Sequence, residues 1–261
     1  MDNIKVKRPL SQSDISLLSG ISRHIAISIH NAMSYQKLGE SRKLEHNLRK
    51  LFERYVPASI IKRYVDSGDT DLFQGEELDI TAIFLDIRGF TLNSERMEPG
   101  DVVSFLNEFF EGCSRIINSE HGHINKYTGD GFLAIFGAPE PVEDHVNLAF
   151  EATRRVLQLS KKFILGDHPM GIGVGIHTGR AVLGNIGSRT EMEYTAVGDT
   201  VNTAARLEEL TKLFPDSPVI MSRDVWEKID PERCSKSDFN SLGPQDIRGK
   251  KQRVEAYGFK P

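Results

Sequence analysis

Cysteine is almost absent from these 261 residues. Cys113 and Cys234 are the only two, too few for a disulfide framework and wrongly spaced for a zinc site. A reducing cytosol is the natural compartment. Long apolar runs are missing as well. The best candidate, Ile25 to Met33, is broken by Ser28, His30 and Asn31, far short of the ~20 residues that a spanning helix needs. No apolar stretch and small-residue cleavage site follow Lys5, Lys7 and Arg8, so a signal peptide is not expected. There is no excess of basic charge. Lys and Arg number 33 against 37 Asp and Glu, a net of -4, which argues against a bulk-electrostatic nucleic-acid binder. Any phosphate must be met by local groups. Low-complexity tracts and internal repeats are also lacking. Apolar residues make up 39%, and the 22 glycines bring the total to roughly 47%, an ordinary globular composition.

Residues 14–56 hold no proline and only two glycines, Gly20 and Gly39, which predicts an unusually long helical stretch. Leu18, Ile21, Ile25, Ile29 and Ala32 recur every three or four residues. Leu44, Leu48, Leu51 and Tyr55 then follow the 4-3-4 rhythm of a short coiled coil, flanked by charges. Polar residues 34–43 separate the two sets, Pro57 breaks the run, and a short helix is expected over 58–66. The expectation for the 44–55 stripe is a dimerising helix; a helix lying on a globular core is the alternative.

From residue 77 strands and helices alternate. Strands are predicted over 80–87, 124–128, 132–136, 171–181, 192–197 and 219–222, with helices over 99–118, 142–159, 199–212 and 223–229. A terminal hairpin is expected in the glycine-punctuated tail. The order is that of a split, ferredoxin-like β-α-β-β-α-β core with additions, an α+β fold.

Asp86 closes an apolar strand in Leu85-Asp86-Ile87-Arg88-Gly89-Phe90-Thr91, and Asp130 tips the Gly129-Asp130-Gly131 hairpin. In a split fold these are neighbours, and two convergent carboxylates suit Mg2+ together with substrate phosphates. Gly89 lets backbone N–H groups approach a phosphate. Asn202 and Arg206 lie four apart, on one face of a helix with Asp199 or Thr200 as its expected N-cap. A guanidinium fork there matches phosphate oxygens. His177, in a glycine-rich strand end, reads as structural, and His121 and His123 as no metal site.

Four segments in order, LDIRGFT (85–91), NKYTGDGF (125–132), GVGIHTG (173–179) and EYTAVGDTVNTAAR (193–206), resemble the class III nucleotidyl cyclase domain, over roughly residues 75–260. The resemblance implies a homodimer with two composite active sites, acting on ATP. It places Asp86, Ile87 and Asp130 as the set holding two Mg2+ (or Mn2+) ions, with Ile87, Gly89 and Phe90 along the substrate. Lys126 and Thr195 come from the other protomer and read the purine. Asn202 and Arg206 orient the ribose and stabilise the transition state. Lys250 falls near a triphosphate-contacting lysine, with Lys251 leaving the register open. Lys126 can only donate and Thr195 can accept, which matches adenine N1 and N6; guanine reverses both. Guanylyl cyclases of the family typically carry Glu and Cys there, and the Thr resembles a bacterial subgroup of adenylyl cyclases. A guanylyl cyclase and a nucleotide-binding regulatory module without turnover are the competing readings. One departure stands out: Gly173 occupies a position where some members carry an Arg that meets the triphosphate.

Residues 17–35 resemble the last helix of a GAF sensor domain. The expected organisation is therefore a truncated GAF-like helix over 1–40, a coiled-coil transducer linker over 41–74 and a cyclase domain over 75–261. An upstream sensor in cis would act through the linker.

Overall fold

The structure is a computed structural model, and it describes residues 12–52, 75–188, 191–250 and 252–260. Tyr55 and the helix expected over 58–66 lie outside the described residues. The chain divides into two units, Met1–Ile61 and Lys62–Pro261.

The described residues of the first unit form α1 (Gln12–Phe52), 41 residues long. It runs unbroken through the polar 34–43 stretch and through the boundary expected at residue 40, because neither proline nor a glycine pair interrupts it. Leu44, Leu48 and Leu51 stay 60%, 45% and 50% exposed.

The second unit is built on an eight-stranded sheet. Its strands are β1 (Glu76–Ile87), β2 (His123–Tyr127), β3 (Gly131–Phe136), β6 (Ile172–Gly187), β7 (Met192–Val197), β8 (Val219–Ser222), β9 (Phe239–Gln245) and β10 (Val254–Phe259). Ile164–Leu165 and His168–Pro169 form a separate two-stranded pair, β4 and β5. The main order is β2-β3-β1-β6-β8-β10-β9, with β7 also paired to β6. The segment β2-β3-β1-β6 is the expected split arrangement, with β1 antiparallel to both β3 and β6. Beyond it, β8 runs parallel to β6, and the terminal hairpin extends the sheet.

The helices are α2 (Phe90–Ser94), α3 (Pro99–Ser119), α4 (His145–Ser160), α5 (Asp199–Leu210) and α6 (Arg223–Lys228). The α3 and α4 helices pack on each other, and the core runs from Ile83, Leu85 and Ile87 through Phe109, Phe132, Phe136 and Val156. The apolar spacing of α4 predicts an inner face of Val146, Ala149, Phe150, Thr153 and Val156, and all five are buried. On α3 the spacing predicts a face of Val102, Leu106, Phe109, Cys113 and Ile116; the buried face is Phe109, Phe110, Cys113 and Ile117, turned slightly from it, with Val102, Leu106 and Ile116 only partly covered. Two departures have local causes. The α4 helix starts at His145, three residues late, because Pro141 and a left-handed Asp144 (φ 62) precede it. Strand β6 continues six residues past Ala181, because its second half finds a partner in β7.

The α5 helix lies directly on β6. A Cβ at Gly175 would sit 2.1 Å from the Ala204 carbonyl oxygen and 2.2 Å from the Glu208 nitrogen, so only glycine lets the helix backbone come this close. That contact sets how deeply α5 lies on the sheet.

Candidate functional site

Asp86 is the penultimate residue of β1, and its register partner on β3 is Gly131. Asp130 therefore stands beside Asp86 at the mouth of the β2–β3 turn. Gly131 sets this proximity, since a Cβ there would meet the Leu85 carbonyl oxygen at 2.1 Å. Partial burial first, and then the negative charge of Asp86, raise the Asp130 pKa above its ordinary value. Lys212 places Nζ 3.6 Å from Asp86 Oδ2 and partly offsets that charge. Among the described residues no cluster of three or more His, Cys, Asp or Glu could hold a metal. Two carboxylates and the Ile87 carbonyl are still a hard-oxygen set, which suits Mg2+ when substrate phosphates complete the shell.

The loop after β1 turns at Gly89 (φ 66), whose carbonyl accepts from Asn93 Nδ2 at 2.8 Å. Phe90 is 7% exposed and stacks on Phe105 with centroids 6.2 Å apart. Its side chain anchors the loop in the core, so Phe90 can meet a substrate only through its main chain. The same holds for Ile87, which is 1% exposed.

Arg88 explains what becomes of the space above Gly173. A Cβ at Gly173 would fall 1.8 Å from Arg88 Nη2 and 2.3 Å from its Cζ. The Arg88 guanidinium thus lies over that glycine, with Nη2 3.3 Å from Glu208 Oε1. Charge proximity is all this pair has: neither Nη1, Nη2 nor Glu208 Oε1 makes a well-aligned hydrogen bond. Burial, followed by the Asp86 charge, pushes the Glu208 pKa up to about 7, against the opposing pull of Arg88 and Lys212.

Asn202 and Arg206 share one face of α5 as expected. They line a cleft of about 420 Å³ with Asp199, Thr203, Ile247, Arg248, Gly249 and Lys250. Lys250 Nζ sits 2.6 Å from Asp199 Oδ2, and Arg206 pairs with Glu209 one turn on. The N-cap is Gly198, not Asp199 or Thr200. Thr200 instead donates to the Arg180 carbonyl at 2.6 Å, tying the helix start to β6. Lys251 lies outside the described residues.

Lys126 on β2 holds Nζ 3.0 Å from Glu193 Oε1 on β7. Thr195, 5% exposed, donates from Oγ1 to Asn125 Oδ1 at 2.8 Å. Lys126 and Thr195 thus belong to one corner, joined through Asn125. Among the described residues no hydrogen bond or ion pair links the acidic end, the α5 cleft and this corner to one another.

His177 Nδ1 lies 2.7 Å from Ser222 Oγ, and burial, aided by repulsion from Lys250, lowers its pKa to about 4. Burial likewise lowers His123 to about 4. Sequence reasoning missed Asn125, Arg88, Glu193, Glu208 and Lys212. Asn125 and Arg88 stand inside the motifs, so adjacency was the available signal. Nothing local marks Glu208 and Lys212, which act through the fold.

A split sheet carrying paired aspartates on β1 and the β2–β3 turn, with an Asn/Arg helix packed on β6, is the architecture of a class III nucleotidyl cyclase domain. The chain belongs to the adenylate and guanylate cyclase catalytic domain family, whose profile matches residues 74–261. It is 30% identical over 211 residues to adenylate cyclase 1 of Rhizobium meliloti (strain 1021), covering 79% of this chain and 31% of that protein. It is 30% identical over 220 residues to an adenylate cyclase of Anabaena cylindrica, covering 80% and 42%. The chain thus spans well under half the length of these relatives. A bacterial light-regulated adenylyl cyclase superposes with a TM-score of 0.70 at 24% identity, over 86% of this chain and 64% of that one, a likeness of fold. No helix among the described residues is long and apolar enough to cross a membrane.

Proposed function

We propose that this chain is an adenylyl cyclase catalytic region, converting ATP to 3′,5′-cyclic AMP and pyrophosphate at sites shared between two copies. The observation that carries the reading is the β1–β3 register, which pairs Asp86 with Gly131 and so sets Asp130 beside it. The names of the relatives, adenylate cyclases from two bacteria, support the choice of product.

Asp86, Asp130 and the Ile87 carbonyl would hold two Mg2+ (or Mn2+) ions, which supply Lewis acidity to the ribose 3′-hydroxyl and neutralise polyphosphate charge. The 3′-hydroxyl gives up its proton to solvent, its oxygen bonds to the α-phosphorus, the bond from that phosphorus to the β-bridging oxygen breaks, and pyrophosphate leaves. Arg206 places its guanidinium against charge growing on the α-phosphate, a preorganised contact worth about 3 kcal/mol. Asn202 orients the ribose, and the main chain of residues 87–90 lies along the phosphates. Lys250, now paired with Asp199, contacts the triphosphate. Asn202 and Arg206 come, with Lys126 and Thr195, from the copy that does not supply the two aspartates, and Lys126 and Thr195 read the adenine edge. All four residues whose loss would mark a module without turnover, Asp86, Asp130, Asn202 and Arg206, are in place.

The exposed Leu44, Leu48 and Leu51 on α1 support a coiled coil between copies. Through it the state of an upstream GAF-like sensor would reach the catalytic regions, in the cytosol. The shared site is tested by mixing. Asp86→Ala and Asn202→Ala should each be nearly inactive, yet an exchanged mixture should recover activity, because one site of the heterodimer keeps every residue. Stable heterodimers without activity would rule out the shared site.

A further inference from the structure

Asn125 precedes Lys126 on β2 and reaches β7 with both ends of its amide. Nδ2 donates to the Tyr194 carbonyl at 3.0 Å, and Oδ1 accepts from Thr195 Oγ1 at 2.8 Å. A main-chain carbonyl can only accept, so the NH2 end must face Tyr194, and the amide has one satisfied orientation. Oδ1 then faces the hydroxyl. Being an acceptor only, it takes the one proton that Thr195 has to give. What Thr195 Oγ1 keeps for any further partner is lone pairs.

We infer that Asn125 is a specificity-determining positioning residue: by claiming the Thr195 hydroxyl proton it fixes that oxygen as an acceptor, suited to a 6-aminopurine nucleotide and mismatched to a 6-oxopurine. The inference rests on the proposed reading that Lys126 and Thr195 face the base. Without Asn125 the hydroxyl is a free rotor, able to accept from the adenine amino group or to donate to guanine O6. Lys126 still opposes the guanine N1–H, so the loss of discrimination is partial. Removing one such constraint shifts preference by on the order of tenfold.

The test measures kcat/KM for ATP and for GTP with the whole chain, in three variants. Asn125→Ala should lower the ATP:GTP ratio by about tenfold, the scale of one hydrogen bond. Asn125→Asp keeps an acceptor facing the hydroxyl, so its ratio should stay near that of the wild type even if turnover falls. Asn125→Ala in a Thr195→Val background should leave the Thr195→Val ratio unmoved, because Asn125 then has no hydroxyl to orient. Should Asn125→Ala not fold by circular dichroism, Asn125→Leu, close to the amide in size, takes its place. An unchanged ratio in Asn125→Ala, or an equal fall in Asn125→Asp, overturns the inference while leaving an ATP-preferring enzyme intact. A wild type that prefers GTP, or a Thr195→Val ratio equal to wild type, would instead overturn the underlying reading of the corner.

Discussion

At the acidic end, backbone geometry holds the functional groups. Asp86 is placed by strand register and Asp130 by a turn that Gly131 allows to press against Leu85. At the base corner, side chains hold side chains: Glu193 holds Lys126, and Asn125 holds Thr195. On the proposed function, the first arrangement would set charge against the phosphates of any nucleoside triphosphate, and the second would distinguish one base edge from another. Rate and selectivity would then sit on different kinds of support, and substitutions at the two ends should fail in different ways.

The largest effect belongs to the acidic end. Asp86→Ala should reduce turnover by on the order of a thousandfold or more with ATP and GTP alike, since charge placement at the phosphates is lost for both. A steady-state assay with each nucleotide checks this, and a loss confined to one of them would break the comparison. Arg206→Ala should cost about 100- to 1000-fold in kcat, again without regard to base. At the other end, Lys126→Glu combined with Thr195→Cys should leave the rate-determining groups untouched while turning preference toward GTP. One charged and one neutral contact reversed correspond to about a hundredfold swing in the ratio of kcat/KM. Equal losses with both nucleotides would show that the corner supports the fold and not the choice.

Smaller effects should spare the comparison altogether. Leu44, Leu48 and Leu51 replaced together by Ser should weaken self-association, seen by sedimentation, and lower activity severalfold at dilute enzyme, with the nucleotide ratio unchanged. If dimerisation and activity survive intact, α1 has no coupling role. Acidification should act on the scaffold through His177. Its folded pKa of about 4 lies below the ordinary 6.5, so the unfolded chain takes up a proton first as pH falls. Stability is fully present above about pH 6.5 and should decline toward pH 4, by about 1.4 kcal/mol for each pH unit. His123, also near 4, adds in the same direction. Thermal melts at pH 7 and pH 5 report the slope, and a His177→Gln variant should lower it by about half, leaving the His123 part.

The fold was legible in the sequence where periodicity was strong. The split core followed from alternating apolar runs, and the five inward residues of α4 were all identified from spacing. The N-terminus of α4 was not, because Pro141 and the left-handed Asp144 delay the helix in a way apolar spacing does not register. The length of β6 was missed for a different reason: its second half is a strand only because β7 lies beside it. Within the site, Asp86, Asp130, Asn202 and Arg206 could be named from motif and helical spacing. Phe90 was named as a substrate contact, but burial restricts it to its main chain. Arg88 shows the limit of reading positions singly. Gly173 looked like a missing cation, whereas the guanidinium of Arg88 occupies the space above it. Such a substitution in space has no signature in one chain read along its length. Glu208 and Lys212 reach the acidic end only because Gly175 lets α5 lie on β6.

The most direct measurement is of product. Purified chain, given equimolar ATP and GTP with Mg2+ and then with Mn2+, should form cyclic AMP as the dominant cyclic nucleotide under both metals. Dominant cyclic GMP would contradict the base corner as described here, and neither product from a stable dimer would contradict the catalytic reading itself.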